Sequence, residues 1–317
     1  VEGCISVLRQ SLLALSRSRQ ARDLIMATPV TREVVARFVA GESTAEVLAA
    51  ARRLIGSGLL VTIDYLGEDT TDPQQAAAVA DEYVRLLGLL SDAGLAGQGR
   101  AEVSVKPTAV GLGLPEHGEK TARENIVRIA TAARNAGTTI TVDMEDHARV
   151  DATLRLVADL RADFPDLGCV IQSYLSRSAD DCRSLALRGS RVRLCKGAYQ
   201  APAGIGLGRR AEVDASYSRC MRILLEGPGY PMLATHDPRL IRIAGVKAGM
   251  TGRDPDSFEY QMLYGIRPAE QARLAATGAR VRVYVPYGTD WYGYLVRRLA
   301  ERPANLAFFL RAVSGTG

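Results

Sequence analysis

The chain is poor in the residues that most often announce a chemistry. It has three histidines, one tryptophan and five cysteines in 317 residues. The cysteines, Cys4, Cys169, Cys182, Cys195 and Cys220, form no CxxC and no ligand-like spacing, which excludes a disulfide framework and a zinc site. Cys169 and Cys195 fall in apolar runs, where reduced, buried thiols are the default, so a reducing cytoplasm is expected. No apolar run approaches the ~20 residues of a membrane-spanning helix. The first residues lack the basic, apolar and small-residue succession of a secretory signal. The net charge is +5, but acids and arginines are interspersed with no basic stripe between aromatics, so nucleic acid is not an expected partner. No Ser-His-Asp arrangement and no GxGxxG after a strand is present. Gly204 to Gly208, the only glycine-rich piece, reads as a flexible loop.

What the chain does have is rhythm. A hydrophobic fraction of 47% provides for a sizeable core. Residues 1–56 read as helices without a motif, with a capping box at Ser43-Thr44-Ala45-Glu46. From there β-rich runs alternate with helical stretches. Strands are expected at 59–65, 102–106, 139–144, 169–173, 191–195, 232–235, 258–263 and 281–285. Helices fill the intervals, among them 119–136, 147–164, 176–188, 209–225 and a last one at 290–301. Asp72-Pro73, Asp237-Pro238 and Pro268 mark helix starts. Eight strands alternating with helices predict parallel βαβ units and a closed (β/α)8 barrel over residues 57–317, with extra N-terminal helices packing on it. A doubly wound open sheet is the alternative, and it wants the dinucleotide fingerprint the chain lacks.

The strands share an oddity. The run 191–199, Arg-Val-Arg-Leu-Cys-Lys-Gly-Ala-Tyr, places Arg193 inside an apolar strand and closes with Lys196-Gly197. A charge on a buried strand is costly unless it has a partner. Other strands end likewise: Asp64 and Glu68, Lys106, Asp143 and Glu145, Gln172 and Tyr174, Thr235 and His236, Gln261 and Tyr264, Tyr284 and Tyr287. In a barrel these ends build one mouth, where active sites lie. On the last helix Tyr294, Arg297, Arg298 and Glu301 share a face, and two adjacent guanidiniums make an anion clamp. A solvated helix with Arg–Glu pairs is the competing reading. Of the histidines, His117 reads as solvated, His147 as a surface or capping residue, and His236 as a local hydrogen-bonding or chemical group. Such a barrel delegates its chemistry to a cofactor, or uses Lys106 or Lys196 as a Schiff-base lyase or aldolase does. A non-catalytic carboxylate-binding barrel is a third possibility.

Taken in order, Val-Thr-Ile-Asp-Tyr-Leu-Gly-Glu (61–68), Val-Ser-Val-Lys-Pro (103–107), Val-Asp-Met-Glu (142–145), Gln-Ser-Tyr (172–174), Arg-Leu-Cys-Lys-Gly-Ala-Tyr (193–199), Ala-Thr-His (234–236), Glu-Tyr-Gln-Met-Leu-Tyr-Gly (259–265) and Tyr-Leu-Val-Arg-Arg-Leu-Ala-Glu (294–301) resemble the proline dehydrogenase family. The length resembles its short monofunctional bacterial form. The resemblance implies a distorted TIM-type barrel holding FAD, and oxidation of L-proline to Δ1-pyrroline-5-carboxylate by hydride transfer to flavin N5. It further implies electrons passed to a membrane quinone through a peripheral contact with the inner face of the membrane, and a downstream pyrroline-5-carboxylate dehydrogenase. By matching position, it assigns the substrate carboxylate to Lys106, Arg297 and Arg298. Tyr284, Tyr294 and Leu263 would wall in the ring, Asp143 would organise Lys106, and Glu68 would gate the site with Arg297. The flavin would meet Met144, Gln172, Arg193, Lys196, Gly197, Ala198, Thr235 and His236, with Arg193 beside N5. No metal is implied. The connection Tyr287-Gly288-Thr289-Asp290 is shorter than in the long bifunctional members.

Overall fold

Alternation with a period of two governs the sheet. In Val61-Thr62-Ile63-Asp64, Ala101-Glu102-Val103-Ser104-Val105 and Val281-Arg282-Val283-Tyr284-Val285, apolar and polar residues take turns, and all but the half-buried Tyr284 are buried. Successive side chains of a strand point to opposite faces. Here both faces are covered, one by helices and the other by the barrel's own interior. The computed structural model describes residues 35–199 and 201–300, with side chains as far as Leu295. Its eight parallel strands close into a ring: β1 (Leu60–Tyr65), β2 (Ala101–Val105), β3 (Ile140–Val142), β4 (Gly168–Gln172), β5 (Arg191–Cys195), β6 (Tyr230–Ala234), β7 (Glu259–Leu263) and β8 (Val281–Tyr287). β8 returns to β1, with Val61 opposite Val283 and Ile63 opposite Val285.

Helices α1 (Thr44–Gly56), α2 (Pro73–Asp92), α3 (Gly118–Asn135), α4 (Val150–Leu160), α5 (Ser178–Leu185), α6 (Arg210–Glu226), α7 (Pro238–Met250), α8 (Pro268–Ala276) and α9 (Trp291–Ala300) connect or flank the strands. Their starts are written locally. Ser43 and Glu46 exchange hydrogen bonds as a capping box on α1, and Asp72 accepts from Gln74 and Gln75 N–H ahead of Pro73. The main core lies between helices and sheet. Val61, Ile63, Val103, Val105, Val142, Ile171, Val192, Leu194, Val283 and Val285 meet Tyr83, Leu86, Leu90, Ile126, Ile129, Leu160 and Leu224 there.

The segment 40–42 straps onto the end of β8. Ala40 N–H donates to Pro286 O, Gly288 N–H to Gly41 O, and Trp291 Nε1 to Glu42. The remainder of the expected N-terminal helices, residues 1–34, lies outside the described residues. Two expectations change shape. The third strand is three residues long, not six, because the chain turns inward at Asp143, where Met144 and Glu145 carbonyls accept from Gln172 Nε2. The glycine-rich loop is tied down: Leu207 N–H donates to Tyr174 O at 2.7 Å and Ser176 N–H to Ile205 O at 2.9 Å.

Candidate active site

The inward residues of the strands form polar layers where apolar ones are usual. Arg193, 4% exposed, has a full set of partners. Its Nη1 donates to Asp143 Oδ1 at 2.6 Å and to Ser104 Oγ at 2.8 Å, and its Nε to Gln261 Oε1 at 2.6 Å. The guanidinium also lies over the Tyr284 ring, 5.2 Å from its centroid. Tyr284 O–H donates to Asp143 Oδ2 at 2.9 Å. Four strands and the end of β3 thus meet on one carboxylate and one guanidinium at the barrel axis. This answers the cost of a buried strand charge: the pair is buried with every neighbour a donor or acceptor.

Lys106 follows β2 and is 8% exposed. Its Nζ donates to both Asp64 oxygens at 2.6 Å. Burial pulls its pKa down, but the Asp64, Asp143 and Glu68 charges outweigh that and push it up to about 12. An amine nucleophile needs the opposite perturbation, so Lys106 is a fixed cation rather than a Schiff-base former. Lys196 is held between Asp214 at 2.5 Å and Asp237 at 3.6 Å, again as a paired cation. The hydrogen bond that positions Lys106 comes from Asp64. Asp143, expected in that role, acts on Lys106 only through its charge and is itself bonded to Arg193, Ser104 and Tyr284.

Glu145 is buried beneath the mouth and accepts from Thr108 N–H at 2.9 Å and Thr108 O–H at 2.5 Å. Burial, opposed by those bonds, raises its pKa to about 7. His236 Nε2 accepts from Leu263 N–H at 2.9 Å, which ties the ends of β6 and β7 together. Thr235 Oγ1 accepts from Asp237 N–H. His117 is an exposed left-handed residue before α3, and His147 opens a short 3-10 turn before α4.

Gly197 closes β5 with φ +95°, a left-handed conformation that disfavours other residues. A Cβ there would stand 2.3 Å from the Tyr174 ring and 2.8 Å from Gln172 Oε1. The Tyr174 O–H is buried without a hydrogen-bond partner. Met144, Gln172, Lys196, Gly197, Ala198, Thr235 and His236 follow or end β3, β4, β5 and β6, four consecutive strands, and so belong to one contiguous half of the rim, with Arg193 inside the barrel below them on β5. Lys106, Leu263, Tyr284 and Glu68 sit on or after β2, β7, β8 and β1 and line the other. Tyr294 is buried at the start of α9. Arg297 and Arg298 belong to α9, but their side chains lie outside the described residues, as does any pairing of Arg297 with Glu68.

Sequence reasoning noted Asp64, Glu145, Tyr174 and Gln261 as strand-end polar residues without giving them roles. It marked Asp237 only as a helix start and did not single out Ser104 or Asp214. The period-two polar positions carried a signal for Ser104; nothing local marks Asp214, which reaches Lys196 from α6.

Comparison with known proteins agrees with this geometry. The family model described as proline dehydrogenase matches residues 47–311. Proline dehydrogenase 1 of Bacillus subtilis is 36% identical over 307 residues, 97% of this chain and 99% of the relative. Proline dehydrogenase of Deinococcus radiodurans is 39% identical over 307 residues, 96% and 97% of the two chains. Among solved structures, proline utilization A from Bdellovibrio bacteriovorus, inactivated by N-propargylglycine, superposes with a TM-score of 0.79 at 26% identity over 86% of this chain. The chain spans about a third of that longer protein, 33% of its length. A match of this extent, on a closed barrel whose mouth gathers the same ordered motifs, leaves one assignment: the chain belongs to the proline dehydrogenase family.

Proposed function

We propose that this protein oxidises L-proline to Δ1-pyrroline-5-carboxylate with FAD as the immediate acceptor and a membrane quinone as the final one. Family membership makes it an oxidoreductase acting on proline. The observation that carries the finer reading is the pair of buried cations, Lys106 and Arg193, fixed by Asp64 and by Asp143, which also accepts from Tyr284. A free amino acid presents one carboxylate and one ring. Lys106, permanently protonated, suits the carboxylate, joined by Arg297 and Arg298 from α9. Tyr284, Tyr294 and Leu263 supply an apolar wall for the ring, and Glu68 a gate with Arg297. Fixing the carboxylate sets the ring's pose, and positioning is a large part of such catalysis.

The half-rim of Met144, Gln172, Lys196, Gly197, Ala198, Thr235 and His236, with Arg193 below it, suits a flavin. Gly197 lets the turn pack directly on the Tyr174 ring, where any side chain would collide, and the Tyr174 O–H, buried without a partner, is a polar group on the same half. When bound there, FAD supplies the hydride acceptor. Arg193 and Lys196 place positive charge on that side, which favours added negative charge. The substrate must lose its amine proton before hydride leaves the neighbouring carbon, so turnover should rise with pH.

The first test is the visible spectrum of the purified protein, followed by L-proline under anaerobic conditions. Flavin bands that bleach support both cofactor and substrate. Bands that persist redirect the search to other amines, and no bands after reconstitution with FAD would sink the reading. Arg298→Met should raise the KM for proline at least about tenfold, as expected for loss of a charge-assisted hydrogen bond, while leaving flavin bound; an unchanged KM removes the clamp.

A further inference from the structure

The opposite end of the barrel has its own chemistry. A cavity of about 400 Å³ opens at the N-terminal mouth, lined by residues that precede or begin the strands, among them Thr138, Thr139, Asp166, Arg191, Tyr230, Arg280 and Arg282. Three guanidiniums therefore border one space. Arg282, 1% exposed, is satisfied: it donates to Glu259 at 2.7 Å and to Val61 O at 2.8 Å. Arg191 donates one terminal nitrogen, Nη2, to Glu102 at 2.7 Å, but its Nη1 is buried with no hydrogen-bond partner. Arg280 Nε is likewise buried without a partner, and among the described residues no carboxylate pairs with Arg280. Both guanidiniums rest against the same ring, at 5.6 and 5.8 Å from the Tyr230 centroid.

Buried donors without partners cost free energy, and native structures rarely keep them without a reason. Charge counts in the same direction. Arg191, Arg280 and Arg282 face two buried acids, Glu102 and Glu259, so one guanidinium is left uncompensated within the layer. Asp166 lines the rim with an exposed side chain, where water and salt screen it. The Thr138 and Thr139 hydroxyls donate to Ala101 O and Asp166 O, which fixes the wall rather than offering ligands.

We propose that this cavity is a binding site for a small oxyanion of the phosphate or carboxylate type, held between Arg191 and Arg280 over Tyr230. Guanidinium forks match such oxyanions in geometry as well as charge. The space exceeds one phosphate group, so a larger metabolite bearing one fits. The site is separate from the catalytic mouth by the length of the strands, and in this fold the N-terminal face serves stability rather than catalysis.

The test uses inorganic phosphate as the probe, titrated by calorimetry against chloride at matched ionic strength, with the melting temperature read in parallel. Saturable binding and a melting temperature that climbs with the logarithm of phosphate are expected. Arg280→Gln should weaken phosphate at least about tenfold while leaving proline oxidation unchanged. Lys106→Met, which alters the catalytic mouth, should leave phosphate binding intact. Acetate replaces phosphate in a second titration and separates a need for multiple charge from any carboxylate. Absence of saturable binding to either anion, equal binding in the Arg280→Gln protein, or loss of binding in the Lys106→Met protein would each overturn the proposal. A protein that binds phosphate as described yet does not oxidise proline would leave this site standing and remove the catalytic reading alone.

Discussion

Glu145 is the residue most exposed to a change of pH. Its carboxyl titrates at about 7 in the folded chain against 4.5 ordinarily, because it is buried. Between those values the folded state keeps a proton that the unfolded state gives up. The contribution to stability is therefore full below about pH 4.5 and lost as pH rises through 7. At about 1.4 kcal/mol per pH unit, the loss is ~3 kcal/mol. Unfolding free energies from urea melts at pH 5 and pH 8 should differ by about 2.5 kcal/mol in the native chain and come together in Glu145→Gln, whose amide keeps an acceptor for Thr108 N–H. Equal divergence in both proteins would move the cause elsewhere. Asp64 bears the second prediction at this scale. Asp64→Asn strands the Lys106 ammonium, and breaking a buried pair costs about 3–5 kcal/mol. Adding Lys106→Met should recover most of that, since the charge needing a partner is gone. A harmless Asp64→Asn would mean that Asp143 and Glu68 suffice for Lys106.

Among the elements, the turn after β5 concentrates the most constraint in the fewest residues. Gly197→Ala combines a positive φ with a Cβ 2.3 Å from the edge of the Tyr174 ring. Backbone strain of this kind costs about 1–3 kcal/mol, and the turn has no room to relax towards Gln172. Flavin content after purification should fall sharply with circular dichroism unchanged; full occupancy would show that the turn does not touch the cofactor. How much of this was legible beforehand differs by element. The expected bounds of β5, 191–195, match the structure to the residue, because Val192 and Leu194 alternate with Arg191, Arg193 and Cys195 and Gly197 closes the run. β3 is half the expected length, since the alternation of 139–144 runs on through Asp143 and Met144, while the carbonyls of Met144 and Glu145 accept from Gln172, a residue in another unit. The capping box on α1 and the Asp-Pro starts of α2 and α7 are local chemistry and were visible. The interior partners of Arg193 were not, because they come from β2, β7 and the end of β3, and spacing along one strand says nothing about its neighbours across a ring.

For the molecule as a whole, the barrel interior behaves as one electrostatic unit. Glu102 lies within 2.7 to 3.9 Å of Arg191, Arg193 and Arg282, and Glu259 pairs with Arg282 at 2.7 Å. Burial opposes ionisation of Glu259, but Arg282 and Arg191 hold it well below the usual carboxylate range. Arg282→Leu should therefore cost more than its own contacts, by about 3–5 kcal/mol, and Glu259→Gln in the same chain should return part of it. Strict additivity of the two in chemical denaturation would show that the layer is not coupled.

The ring closure between β1 and β8 has a consequence in time. Arg282 rides on β8, the last strand along the chain, and it reaches Glu259 on β7, Val61 on β1 and Gly99 ahead of β2. Until that strand arrives, Glu102 and Glu259 face a cavity short of a cation, and β1 and β7 both present open edges. A seven-stranded precursor is thus penalised by unpaired backbone and by unpaired charge together. Closing the ring joins residues more than two hundred positions apart in sequence, the slow kind of contact, and it also brings Glu259 its cation. The final strand thus brings the seal and the counter-charge of Glu259 in the same step.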